Sequence, residues 1–196
     1  MAQHIDDVAA SSIPKASKRD FSMELRTGDL ILCQGRLAIS IEIEQQTKSP
    51  FSHVLQAWLP PDLNQWLSLE STFQRGVHTG RVADYIDGYP GHLVLCRRPS
   101  LVLDEIRAVQ RKFMTVLDSG YNWQTEVGIV AHKLLAVLPV PEPKGEYYCS
   151  GVQYFASTAI PEKALKRPSP LWLPTPEDNF TDDSVEAVCA LLEGTA

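Results

Sequence analysis

Neither an excess of positive charge nor a long apolar run is present in this chain of 196 residues. The net charge is −6, and six acidic residues follow Arg167, the last basic residue, so residues 1–176 carry as many acidic as basic groups. Nucleic-acid binding draws on a basic surface, so we expect no nucleic-acid partner. The longest weakly charged stretch, 127–141, is shorter than the roughly 20 apolar residues of a spanning helix, so we expect no transmembrane segment.

A secretory signal is also missing from the first 22 residues. They contain six charged side chains and no apolar segment of the kind that precedes a cleavage site. We therefore expect the cytoplasm as the default compartment. Delivery by a specialised secretion system, as for a toxin, needs no such signal and stays open as an alternative.

Cysteine pairs at metal-ligand spacing are absent as well. The four cysteines, at positions 33, 96, 149 and 189, form no C-x-x-C motif and no cluster with histidine. We therefore expect reduced thiols, no metal and no cofactor. Cys33, Cys96 and Cys189 lie in apolar runs, where a free cysteine usually acts as a small buried hydrophobic residue.

The pattern of apolar residues predicts an α+β protein. Short apolar runs bounded by glycine and proline predict strands over 30–33, 53–58, 66–73 with a continuation at Val77, and 92–97. Helical spacing predicts helices over 101–117, 126–138 and 149–159, a helical turn over 81–86, and a closing helix over 185–192. Residues 37–44 alternate apolar and polar side chains, and this period of two predicts a further strand.

The distribution of polar residues suggests three regions. Residues 1–24 are polar and small, and we expect a flexible lead-in. Residues 25–176 form the predicted folded domain. Residues 177–196 form an acidic tail, which we expect to be dispensable for the fold beyond about residue 180. The apolar stripe of Val185, Val188, Leu191 and Leu192 is the complication, because it could dock on the core or on a protein partner.

Cys149 differs from the other cysteines because a loop ends there and a helix begins. A helix N-terminus favours the thiolate form, which makes such a cysteine a candidate nucleophile. A nucleophilic cysteine needs a histidine base, and the base needs a polar group to orient it. The alternative is that Cys149 is a buried cysteine with a purely structural role.

Among the five histidines, His53 is the strongest candidate for the base because it begins a strand. Glu70 interrupts an apolar strand that can pair with the His53 strand, so its carboxylate could reach the imidazole. The alternative for Glu70 is a solvent-facing side chain. His78 and His92 flank turns, and we expect both to be solvated.

Three segments occur in an order that resembles the circularly permuted papain-like proteins. These segments are Gly-Asp-Leu-Ile-Leu at 28–32, Ser-Pro-Phe-Ser-His-Val at 49–54 and Tyr-Tyr-Cys-Ser at 147–150. The resemblance covers about residues 25–176 and is to the YiiX/YebB-like branch of the NlpC-type superfamily, which includes the lecithin retinol acyltransferase-like enzymes. It implies a permuted papain-like fold, in which a small antiparallel sheet packs against helices. In such proteins the segment at 37–44 is a helix, and we adopt that prediction over the strand.

The resemblance implies a Cys149–His53–Glu70 triad and a cysteine hydrolase that acts on an amide or ester bond. An acyltransferase or lipid esterase with the same triad, and a peptide- or lipid-binding module without catalysis, are the alternatives. The expected partner is accordingly a peptide, amide or lipid. Tyr121 resembles an aromatic residue near the cleft of such proteins and is a candidate for substrate binding; the alternative is a core tyrosine.

Overall fold

The computed structural model describes residues 12–47, 49–122, 147–165 and 175–192. Within these ranges six strands form one antiparallel sheet, which has the strand order β4-β3-β2-β1-β5-β6. The strands are β1 (Leu30–Gly35), β2 (His53–Trp58), β3 (Leu67–Thr72), β4 (Gly76–Arg81), β5 (Gly91–Arg97) and β6 (Glu186–Leu191). The helices are α1 (Lys18–Glu24), α2 (Ala38–Thr47), α3 (Val82–Gly88), α4 (Leu103–Met114), α5 (Cys149–Ser157) and α6 (Pro176–Phe180).

The α+β prediction is confirmed, and β2 has the predicted bounds. The strand predicted over 66–73 is present as β3, but its predicted continuation at Val77 is wrong. The chain reverses between β3 and β4, and Val77 belongs to the second strand of this hairpin. Gly76 begins β4 with φ 65°, and a Cβ at this position would overlap the Ser119 carbonyl oxygen. Glycine allows both this backbone conformation and the close approach.

The segment over 37–44 is helical, as the family resemblance implies, and the strand predicted from its period of two is wrong. Leu37, Ile39 and Ile41 are 58%, 66% and 41% exposed. Alternation predicts a strand only where one face is buried against a core, and these three apolar side chains are exposed.

The core lies on both faces of the sheet. On one face, α1 and α3 cover Ile31, Cys33 and Leu55. On the other face, α4 and α5 pack together, and Val109, Phe113 and Val152 cover Leu69. These contacts hold α5 against β2 and β3, which are the strands of His53 and Glu70. The helix predicted over 126–138 and the proline-rich segment 166–174 lie outside the described residues.

Both ends of the described chain contribute to the fold. Residues 18–24 form α1, in which Phe21 is fully buried, so the expectation of a flexible lead-in is wrong for this segment. The helix predicted over 185–192 is also wrong, because β6 pairs with β5 from Leu93 to Arg97. Cys189, Ala190 and Leu191 are buried against the sheet. Non-local pairing with β5, which the apolar run alone does not reveal, decides between helix and strand here.

None of the helices in the described ranges is long and apolar enough to cross a bilayer.

Candidate active site

Cys149 is the first residue of α5, as predicted. Tyr148 caps the helix with extended backbone, so the Cys149 thiol and backbone N–H lie in the first turn. Two hydrogen bonds join this end of the helix to β3: Gln153 Nε2 donates to the Leu69 carbonyl at 2.9 Å, and Ser71 Oγ donates to the Tyr147 carbonyl at 2.6 Å. Cys149 is 3% exposed, whereas Cys33 and Cys96 are fully buried.

The structure brings His53 and Glu70 together. His53 Nε2 lies 3.0 Å from Glu70 Oε2, and the two side chains are 17% and 2% exposed. Antiparallel pairing of β2 with β3 produces this contact, because β2 begins beside the end of β3. Cys149 also raises the pKa of His53, so its thiol lies within electrostatic reach of the imidazole. All three residues of the predicted triad are therefore in one cluster.

The electrostatics of the cluster favour a charged imidazole and a charged carboxylate. Burial lowers the pKa of His53, but the side chain of Cys149 and the hydrogen bond and charge of Glu70 outweigh it and raise the pKa to about 10. Burial raises the pKa of Glu70, but hydrogen bonds from His53, Ser68 and Tyr85 outweigh it and lower the pKa to about 2. Near neutral pH the pair is thus an imidazolium and a carboxylate, and Nε2–H donates to Oε2.

Sequence reasoning missed three residues that surround the Glu70 carboxylate. Ser68 Oγ donates to Glu70 Oε1 at 2.5 Å, and the Tyr85 hydroxyl donates to Oε2. His78 Nε2 lies 3.9 Å from Oε1, and Glu70 and His78 are partners in the β3–β4 register. The expectation that His78 and His92 are solvated is wrong: His78 is mostly buried beside Glu70, and His92 is 6% exposed within β5.

Tyr121 lies beside the β3–β4 hairpin. Its ring packs edge-on against Phe73, with 6.0 Å between the ring centroids. Phe73 follows β3 directly and is 69% exposed. The role of Tyr121 in substrate binding stays a prediction.

The three other thiols lie in less favourable surroundings. Burial, with the charges of Glu70 and Cys149, raises the pKa of Cys33 well above its usual range. Burial also raises the pKa of Cys96, and it raises that of Cys189 to about 11. A raised pKa lowers the fraction of thiolate, so these cysteines are poor nucleophiles at neutral pH.

Comparison with known proteins shows that the chain shares its fold with a solved structure. No family model and no curated protein matches the chain. Among solved structures, the chain is similar to the crystal structure of metalloprotein YiiX from Escherichia coli O157:H7 (DUF1105), with a TM-score of 0.62 and 16% identity. The similarity covers 84% of this chain and 96% of that one. The YiiX-like fold is thereby confirmed; the permuted papain-like topology stays a prediction.

No group of three or more histidine, cysteine, aspartate or glutamate side chains in the described ranges could hold a metal ion. The donors of the cluster also satisfy one another, because His53 Nε2 and Glu70 Oε2 are joined by a hydrogen bond. YiiX is described as a metalloprotein, but the His53–Glu70 pair of this chain does not fit a metal site. The prediction that the chain needs no metal stays a prediction.

Titration of His53 tests the electrostatics directly. In the wild-type protein we expect the imidazole to stay protonated through neutral pH, with a midpoint near 10. Glu70→Gln removes a carboxylate that stabilises the imidazolium, so the His53 midpoint should fall. The measurement is a pH titration of the imidazole nitrogens by ¹⁵N NMR, with the exposed Glu162→Gln as the control. An unchanged His53 midpoint in Glu70→Gln would contradict the assignment of Glu70 as its charge partner.

Proposed function

We propose that this protein is a cysteine hydrolase that cleaves an amide or ester bond through an acyl-enzyme intermediate on Cys149. One observation carries the proposal: the buried Glu70 carboxylate is hydrogen-bonded to His53, and the imidazole is within electrostatic reach of the thiol at the start of α5. A nucleophile, a base and a group that orients the base are the parts that thiol-dependent acyl transfer needs.

The reaction proceeds in two steps. The Cys149 sulfur, as thiolate, forms a bond to the carbonyl carbon, and the bond to the amine or alcohol breaks as His53 gives a proton to this leaving group. A water molecule then attacks the thioester, His53 takes its proton, and the carbon–sulfur bond breaks to release a carboxylic acid. The first N–H groups of a helix lack intrahelical partners, so the Cys149 N–H can donate to the developing oxyanion.

Glu70 supports this cycle through His53. As the orienting group, it holds Nε2 and leaves Nδ1 as the nitrogen for the thiol. Its negative charge stabilises the imidazolium that each step requires. The scheme requires no metal ion, because its three side chains supply the nucleophile, the base and the orienting group.

Acyl transfer to an alcohol or amine is the second candidate function. Apolar side chains near the His53 end of the sheet favour it, because they suit an amphiphilic substrate. Leu37 and Ile39 follow β1, in which Cys33 pairs with His53, and Phe73 follows β3. All three are more than half exposed. Adding glycerol during ester cleavage separates the two functions, since a transferase yields a glyceryl ester and a hydrolase yields the free acid.

Hydrolysis of p-nitrophenyl acetate tests the proposed function. His53→Ala removes the base and should lower kcat/KM by about 10²–10⁴-fold. Glu70→Gln retains an acceptor for the imidazole but loses the charge, and we expect a smaller fall of about 10–10³-fold. The control, Glu162→Gln, should match the wild type. Wild-type activity in both His53→Ala and Glu70→Gln would reject the triad, whereas absence of hydrolysis by the wild-type protein would leave a binding module as the better interpretation.

A further inference from the structure

We propose that Tyr85 is a positioning residue that fixes the His53–Glu70 pair through its hydroxyl group. This inference rests on the proposed function of the pair as base and orienting group. Tyr85 lies in α3, which follows β3 and β4 in the chain, and no part of the family resemblance points to it.

Tyr85 contacts both members of the pair. Its hydroxyl donates to Glu70 Oε2, the oxygen that faces His53, and lies 3.4 Å from His53 Nε2. The two rings are stacked, with 6.1 Å between centroids and 10° between planes. On its other side Tyr85 stacks with Tyr89, at 5.7 Å and 27°. Tyr85 therefore limits rotation of the imidazole and of the carboxylate together.

The opposite side of the carboxylate is enclosed by β3 and β4. Ser68 Oγ donates to Oε1. At Gly80, in β4, a Cβ atom would lie 2.8 Å from Glu70 Oε1 and 2.7 Å from Ser68 Oγ, which is closer than real Cβ contacts. The carboxylate is thus held between the β4 backbone and the Tyr85 hydroxyl. Removal of that hydroxyl deletes the polar contact that α3 makes with the carboxylate.

Tyr85 is suited to donate and not to exchange protons. Burial raises the pKa of its phenol above the usual range, and the charge of Glu70 adds to this effect. The phenol therefore stays protonated throughout the range in which the triad works, as a permanent donor to the carboxylate. A donor to the ionised form stabilises that form, so loss of the hydroxyl should raise the pKa of Glu70.

Several titratable groups lie around Glu70. They come from five elements and are Cys33 of β1, His53 of β2, His78 of β4, Tyr85 of α3 and, through His53, Cys149 of α5. Only the hydroxyl of Tyr85 is removed by substitution with phenylalanine, which keeps the ring stack. The change therefore isolates the hydrogen bond from the packing.

The experiment compares Tyr85→Phe with Tyr89→Phe. Glu70 is titrated by ¹³C NMR of its carboxyl carbon, and hydrolysis of p-nitrophenyl acetate is followed over the same pH range. In Tyr85→Phe we expect the Glu70 midpoint and the acid limb of kcat/KM to move up by about one pH unit, since a hydrogen bond to a charged group is lost. At neutral pH kcat/KM should fall by about threefold to tenfold with KM unchanged. Tyr89→Phe retains the Tyr85 hydroxyl and should show neither shift.

An unchanged Glu70 midpoint in Tyr85→Phe, in a folded protein, would overturn the proposal. A reduced rate with an unchanged acid limb would also overturn it, because that result indicates a merely structural role. The NMR titration needs no turnover, so it remains decisive if the wild-type protein hydrolyses no ester. In that case the proposed function fails and the positioning of Glu70 by Tyr85 is still tested.

Discussion

Cys149→Ala is expected to abolish both covalent labelling by iodoacetamide and hydrolysis of p-nitrophenyl acetate. The variant lacks the only cysteine, among the described residues, that begins a helix and raises the pKa of His53. Alanine keeps the helix start and most of the buried volume, so the fold should persist. Mass spectrometry of the intact protein measures labelling, and a spectrophotometric assay measures hydrolysis. We expect one adduct on the wild-type protein and none on Cys149→Ala.

Cys96→Ala is the matched control, because it also leaves three cysteines and removes a buried thiol. Cys96 is fully buried in β5 and its pKa is raised by burial, so its loss should change neither labelling nor activity. Circular dichroism of both variants checks the fold. Equal labelling of Cys149→Ala and wild type would reject the nucleophile, and hydrolysis retained without Cys149 would reject the proposed function as a whole.

Removal of residues 185–196 is expected to destabilise the protein severely. The truncation deletes β6, which buries Cys189, Ala190 and Leu191 and pairs with β5. The lost apolar burial corresponds to about 3–5 kcal/mol at the usual value for buried side chains. Such a loss is a large fraction of the total stability of a typical domain, about 5–15 kcal/mol. Urea denaturation and the soluble fraction after expression measure the effect.

The control truncation ends the chain after Leu192 and removes only four residues. Because β6 stays intact, we expect its unfolding midpoint to match that of the full chain. The comparison directly tests the initial expectation that the region beyond about residue 180 is dispensable. Equal midpoints for the two truncations would mean that β6 contributes little to the sheet, against the burial of Leu191 at 5% exposure.

Local patterns predicted the parts of the fold in which sequence neighbours decide the structure. The strand at His53 lies between Ser49-Pro50 and Pro60-Pro61, so breakers on both sides and apolar residues between them were sufficient to identify β2. Glu70 was recognisable as a polar interruption of an apolar strand. The three residues of the candidate triad could be identified from the sequence because each begins or interrupts a helix or strand.

Features that depend on distant contacts were not predictable in the same way. β6 is a strand because it pairs with β5, about 90 residues earlier in the chain. The alternation in α2 was misleading because its apolar side chains Ile39 and Ile41 are exposed instead of buried on one face of a sheet. The contact of Tyr85 with Glu70 requires the packing of α3 beside β3. The position of His78 could have been predicted from the sequence. A hairpin turn at 73–75 pairs position 70 with position 78, so recognising that turn would have placed His78 beside Glu70.

The two ends of the described chain meet at one edge of the sheet. Ala16 N–H donates to the Ala190 carbonyl, and Ala190 N–H donates to the Pro14 carbonyl, both at 2.9 Å. This edge lies at β6, three strands away from β2 and its His53. A short peptide linker would therefore join the two ends without distorting the sheet, and the closed chain could be reopened at the β3–β4 turn. By the same geometry, a fluorescent protein or an immobilisation tag fused to a chain trimmed to residues 12–192 would be attached at the edge remote from the candidate triad.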